Sequence, residues 1–199
     1  MRILLIPDRL KAEFRTVEAL WASSATTRRV DALLLSWVKY EKQLRRLFSF
    51  LVFQHPRIKE KELEAILGVM VENDRLNPRT FTRAIAGLGV KSVPELLGDD
   101  HPRLSKEVER IRGYRNKLMH GQVSGQNIKS HRLECDVILL VEWVNRLGEA
   151  AAAEFGYDGI GRNTFRAAKA TARINVDQFP FESIEMFGPW LKKMSHGNG

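Results

Sequence analysis

Residues 26–54 read TTRRVDALLLSWVKYEKQLRRLFSFLVFQ. Val30, Leu33, Leu34, Trp37, Leu44, Phe48 and Leu51 recur there at steps of three and four, with Glu41 filling the register position between Trp37 and Leu44. That period lays one apolar stripe along a long helix, whereas a half-buried strand would alternate at every second residue. His55-Pro56 ends the run, because the residue before a proline disfavours the α region. Beyond it, Lys59 to Asn73 predicts a second helix with Leu63, Ile66, Leu67 and Met70 inward. Asn77-Pro78 supplies an N-cap and a proline at the first helical position for a short helix through Phe81, Ile85 and Leu88, closed by Gly89. Ser92 to Leu97 reads as one further turn, and residues 98–102 (Gly-Asp-Asp-His-Pro) as a loop.

The next helix is expected from about Leu104 to His120, with Leu104, Val108, Ile111, Leu118 and Met119 toward the core. Gly121 stands where a left-handed cap belongs, and the linker 122–127 is polar and flexible. Ser130 can cap a last long helix through Leu133, Val137, Leu140, Val141, Val144 and Leu147 that ends at Gly156. Amphipathic helices joined by short polar loops predict an all-α protein, an antiparallel helical bundle over residues 28–156. Residues 1–27 form a short N-terminal segment with no element assigned. Residues 157–199 read as an irregular basic extension, extended at Ile174–Phe181 and frayed at its end.

Composition narrows the class. The chain has 199 residues, 44% hydrophobic and 28% charged, enough to bury a core. No apolar run approaches the roughly 18 residues of a membrane span, so no membrane partner is expected. The aliphatic run Ile3-Leu4-Leu5-Ile6 stops at Pro7, too short for a secretory core. A single cysteine, Cys135, forms no internal disulfide, which points to a reducing cytoplasm. The net charge of +8 makes a polyanion, nucleic acid first, the partner to test.

The densest polar cluster is Arg110-Ile111-Arg112-Gly113-Tyr114-Arg115-Asn116-Lys117-Leu118-Met119-His120-Gly121, at the end of an otherwise core-forming helix. Asn116 and His120 are four apart and share one helix face. Arg115 and His120 are five apart, about 140° around an ideal helix, so only distortion near Gly121 or a second subunit would bring them together. A histidine in a last turn also suits the helix dipole, and a following glycine is an ordinary cap. The residues by themselves favour that structural reading.

Arg115-Asn116-Lys117-Leu118-Met119-His120 matches the arginine, polar residue, short spacer, histidine pattern of the HEPN superfamily of all-α proteins. The resemblance spans about Arg28 to Phe155 and tips the reading toward an active site. It implies a metal-independent endoribonuclease needing no cofactor, of the toxin or antiviral-defence kind. It further implies a homodimer in which two motifs build one composite site, with a cognate antitoxin or regulatory protein as partner. RNA carries its own nucleophile, the 2′-hydroxyl. His120, with an ordinary pKa near about 6.5, would move protons at neutral pH. Arg115 would offer a permanently charged fork to phosphate oxygens, and Asn116 would orient His120 or donate to the phosphate. The expected products are a 2′,3′-cyclic phosphate and a 5′-hydroxyl, and DNA is not cut. The alternative is a catalytically inactive HEPN-like module that binds a nucleotide, RNA or a partner protein.

Glu41 lies in an apolar register, where a carboxylate is costly unless paired. It either orients a basic side chain of the Arg115–His120 region, or is a bundle-edge glutamate that snorkels or pairs locally with Arg45, and the residues alone favour the latter. Arg112 and Lys117 would help position RNA. Arg162, Arg166, Lys169 and Arg173, spaced four, three and four, would form one basic stripe if helical. Such a stripe is able to bind an RNA backbone or the acidic surface of a cognate inhibitor, although the residues alone favour a solvated helix face. Asp99-Asp100-His101 has no partner at metal-ligand spacing, so no metal is expected. Cys135, Trp37 and Trp143 read as packing residues.

Overall fold

The computed structural model describes residues 3–54, 58–72, 76–121, 128–161 and 179–196. Every regular element among them is a helix. After a 3-10 turn at Asp8–Leu10 come α1 (Lys11–Ala22) and α2 (Arg28–Val52), then a turn at Glu60–Glu62 leading into α3 (Leu63–Glu72). α4 (Pro78–Gly87), α5 (Val93–Leu97) and a turn at Gly98–Asp100 precede α6 (His101–Met119), α7 (Ser130–Phe155) and α8 (Ile184–His196). The protein is all-α, as the apolar period predicts. No helix among the described residues is long and apolar enough to cross a membrane.

Local chemistry sets several boundaries as expected. Asn77 caps α4, its Oδ1 accepting from the backbone N–H groups of Arg79 at 3.0 Å and Thr80 at 3.2 Å. Gly121 follows α6 at φ +64° and Gly156 follows α7 at φ +79°, left-handed positions that glycine adopts without a Cβ clash. Two expectations need correction, and one unassigned segment gains an element. Residues 98–102 are not a loop: a 3-10 turn runs straight into α6 at His101, with Pro102 in its permitted first-turn place. The N-terminal segment, to which the sequence reading assigns no element, contains α1, whose Phe14, Val17 and Trp21 are buried. The expected frayed end is α8, which buries Phe187 and Leu191. Two residues read as core face outward: Leu67 is 41% and Met119 60% exposed. Residues 122–127 and 174–178 lie outside the described residues.

The helices group into two compact units, Met1–Lys42 with Leu97–Leu147, and Gln43–Leu96 with Gly148–Gly199. This grouping crosses the linear divisions after residues 27 and 156, and both α2 and α7 contribute to each unit. In the first unit Arg9 donates to Asn145 Oδ1 at 2.7 Å and to its carbonyl at 2.6 Å, tying the N-terminal turn to α7. Arg29 is 6% exposed; it pairs with Glu134 at 2.9 Å, donates to the Trp21 carbonyl at 3.0 Å and lies over the Trp21 ring at 4.1 Å. Buried charge is costly, and these contacts leave the guanidinium compensated. Glu13 of α1 takes Lys39 at 2.9 Å and Lys42 at 2.7 Å; burial works to raise its pKa, but these two lysines outweigh burial and hold it below the usual carboxylate range.

The second unit centres on aromatic rings. Phe48 packs near Phe81, Phe187 and Trp190 with centroid separations of 5.8, 6.2 and 6.1 Å, and Phe181 closes on Phe187 at 5.1 Å. The turn after α7 docks on α2: Gln43 donates to the Asp158 carbonyl at 3.0 Å and Arg46 to that of Ile160. Gly159, at φ +76°, has no room for a Cβ, which would meet the Gln43 carbonyl oxygen at 2.8 Å.

Candidate functional site

The motif occupies the C-terminal turns of α6 in the first unit. Apolar Leu104, Val108 and Ile111, all buried, fix which side of α6 faces the core. A second fastening lies further round the helix. Arg110 forks onto Asp136 of α7 at 2.5 and 3.1 Å and onto Glu107 at 2.7 and 2.9 Å. The Asp136 side chain is 1% exposed. Burial disfavours the Arg110 charge, but the Asp136 and Glu107 carboxylates outweigh it and raise its pKa above the ordinary arginine value. The same bonds from Arg110 hold Glu107 below the usual carboxylate range. Arg110 is therefore a strut between α6 and α7. The sequence reading missed Asp136, although its place between Leu133 and Leu140 in an apolar register was a signal.

Arg115 points toward α2. Its Nη2 lies 3.8 Å from Glu41 Oε1, and its guanidinium carbon is 6.0 Å from the Trp37 ring centroid. Glu41 is itself oriented, because the Trp37 indole N–H donates to the same oxygen at 2.7 Å. Among the described residues Glu41 thus faces Arg115, and its pairing is with Arg115 and not with Arg45. Trp37, 2% exposed, packs as expected and also anchors this carboxylate. The signal was the four-residue step between Trp37 and Glu41, which puts them on one face.

Asn116, exposed, accepts a hydrogen bond from Arg115 Nη1 at 3.1 Å. Its carbonyl takes the His120 N–H at 3.0 Å, closing the last turn. His120 caps α6 at φ −95°, ψ 9°, and its exposed imidazole has no partner among the described residues. Among the described residues no hydrogen bond joins Arg115 to His120. Lys117 is exposed in the same last turn. Arg112 pairs with Glu109 at 2.8 Å, one helical turn back, which offsets much of its local charge. Arg162, Arg166, Lys169 and Arg173 lie outside the described residues.

Chemically, the helix end offers one arginine preset by a carboxylate and an indole, one open imidazole, an amide and a lysine. Asp99-Asp100-His101 is built into surface ion pairs: Asp100 takes Arg103 at 3.4 Å and also Arg146. His101 packs near Trp143, centroids 6.4 Å apart, and burial pushes its pKa below the ordinary imidazole value. Cys135 sits half-buried with its Sγ 3.7 Å from His131 Nδ1. No family model matches the chain, and neither a curated protein nor a solved structure matches it.

Proposed function

We propose that the chain is a metal-independent endoribonuclease of the HEPN type, working as a homodimer in a toxin or antiviral-defence role. The observation that carries this reading is the division of labour at the end of α6. Arg115 is held by Glu41 over Trp37, while His120, one turn on, presents an uncommitted imidazole to solvent. A preorganised guanidinium stabilises charge on non-bridging phosphate oxygens without reorganising, and an imidazole that faces solvent is open to a ribose hydroxyl. The base removes the 2′-hydroxyl proton, the 2′-oxygen attacks phosphorus, and the departing 5′-oxygen takes up a proton. A cyclic phosphate and a 5′-hydroxyl result. Because Arg115 and His120 stand five residues apart on α6, about 140° around an ideal helix, the reading has two copies of the motif share a substrate.

A catalytically silent HEPN-like binding module is the second reading, favoured by the hydrogen bond from Arg115 to Asn116, which occupies both polar groups of the motif with each other. Incubation with RNA in chelator separates the two. Cleavage to 2′,3′-cyclic phosphate ends, lost in His120→Ala and in Arg115→Ala with helix content unchanged, supports the nuclease, and DNA stays intact. A tenfold or greater loss in Glu41→Gln assigns Glu41 as the positioning residue for Arg115. RNA bound but uncut by a protein that is also harmless on expression favours the binding module.

A further inference from the structure

We propose that the outward side of α3 docks a basic amphipathic helix of a partner protein, a surface independent of the nuclease reading. α3 reads LEAILGVMVE, apolar around most of its circumference. A helix of that kind is ordinarily covered on all sides. In α3 only Ile66 and Met70 are buried. Leu67 is 41% and Val71 73% exposed, and they stand four residues apart with half-buried Leu63 in the same row.

The next row round the helix is Glu64, Gly68 and Glu72, again at steps of four. Rows of that spacing are the ridges between which a second helix lays its own side chains. Glu64 and Glu72 are exposed, and neither carboxylate has an ion-pair or hydrogen-bond partner among the described residues. A Cβ built on Gly68 would meet nothing within 4 Å, so no packing within the described chain calls for glycine at this mid-helix position. Glycine is a poor choice inside a helix unless something must come close to its backbone. The groove between the apolar and the acidic row is open at its midpoint to such an approach.

Charge selects the occupant. α3 carries two acidic residues and no basic one, in a chain whose net charge is +8. An apolar ridge beside an acidic one is complemented by a helix with aliphatic side chains at steps of three and four and lysines or arginines along one flank. A nucleic acid or an anionic bilayer would bring phosphate against Glu64 and Glu72. The α3 of a second copy would set its own glutamates against Glu64 and Glu72 if antiparallel, or against Leu67 and Val71 if parallel. With ten residues α3 is about 15 Å long. A contact of that length falls short of the roughly 1,200 Å² at which standard stable interfaces begin, so the docking is reversible.

Fluorescence anisotropy of a labelled amphipathic peptide of leucine and lysine, titrated with the full chain, tests this. The expected result is saturable binding of that peptide and none of its counterpart with glutamate in place of lysine. Joint reversal by Glu64→Lys and Glu72→Lys should weaken the lysine peptide about tenfold or more and admit the glutamate peptide. Val71→Asp should weaken it as much, with melting temperature unchanged. Glu18→Lys, at an exposed position on α1, should leave binding as it was. Absence of saturable binding overturns the proposal, as does an equal loss in Glu18→Lys. Binding of phosphatidylglycerol vesicles or RNA that Val71→Asp abolishes assigns the face to another occupant and overturns it too. The same holds for self-association of the chain that Val71→Asp abolishes.

Discussion

Arg115 and His101 show how one neighbour sets what a side chain can do. Arg115 stands over Trp37 and beside a carboxylate whose oxygen is already fixed by the indole N–H. It therefore loses little freedom on meeting an anion, the condition under which a guanidinium is most effective. His101 is the reverse case, because burial makes its charged form unfavourable. Its folded pKa lies below its unfolded value of about 6.5, so the stability it contributes is present above that pH and lost as pH falls through the window beneath it. Melting temperature should thus decline on acidification below pH ~6.5. His101→Phe should decline less steeply over the same window, and identical profiles would remove His101 as a cause. Trp37 and Glu41 were each legible in the sequence. Their joint hold on Arg115 was not, since it joins residues on different helices.

At the scale of the element, α6 is placed by its apolar residues and by Arg110, which reaches buried Asp136 on α7. Removing one partner of such a pair strands the other charge. Asp136→Ala should cost about 3 kcal/mol, the low end for a broken buried pair because Arg110 keeps some access to water. Arg112→Ala, which removes only a half-exposed pair one turn away, should change stability by under about 0.5 kcal/mol. Denaturant midpoints at constant slope measure both, and equal destabilisation would deny the strut. The α4 cap was legible because capping acts within a few residues. α1 was legible in principle: Leu10, Phe14, Val17 and Trp21 step by four, three and four. α8 was obscured by Gly188 and Pro189, two poor helix formers that its buried Phe187 and Leu191 override.

Across the whole molecule the excess of basic residues gives a net charge of +8. Many of those described are already paired: Arg29, Arg103, Arg110, Arg112, Arg146, Lys39, Lys42 and Lys91 all meet carboxylates. On the proposed reading, RNA binding therefore draws on Lys117 and on the four basic residues between 162 and 173. Charge reversal at Arg166 and Lys169 should weaken binding and flatten its dependence on log salt, by about 0.7 for each phosphate no longer neutralised. A slope equal to the parent's would show that the stripe does not meet the backbone.

The sequence by itself determined that this chain is helical, where α2, α4, α6 and α7 lie, and which glycines end two of them. Period, capping and φ preferences act over a few residues and can be read along a line. Only tertiary structure decided that Glu41 meets Arg115, that Asp136 takes Arg110, and that Met119 faces water while Phe187 does not. These outcomes depend on which surfaces the helices present to one another, and contact across tens of residues is a property of packing in three dimensions.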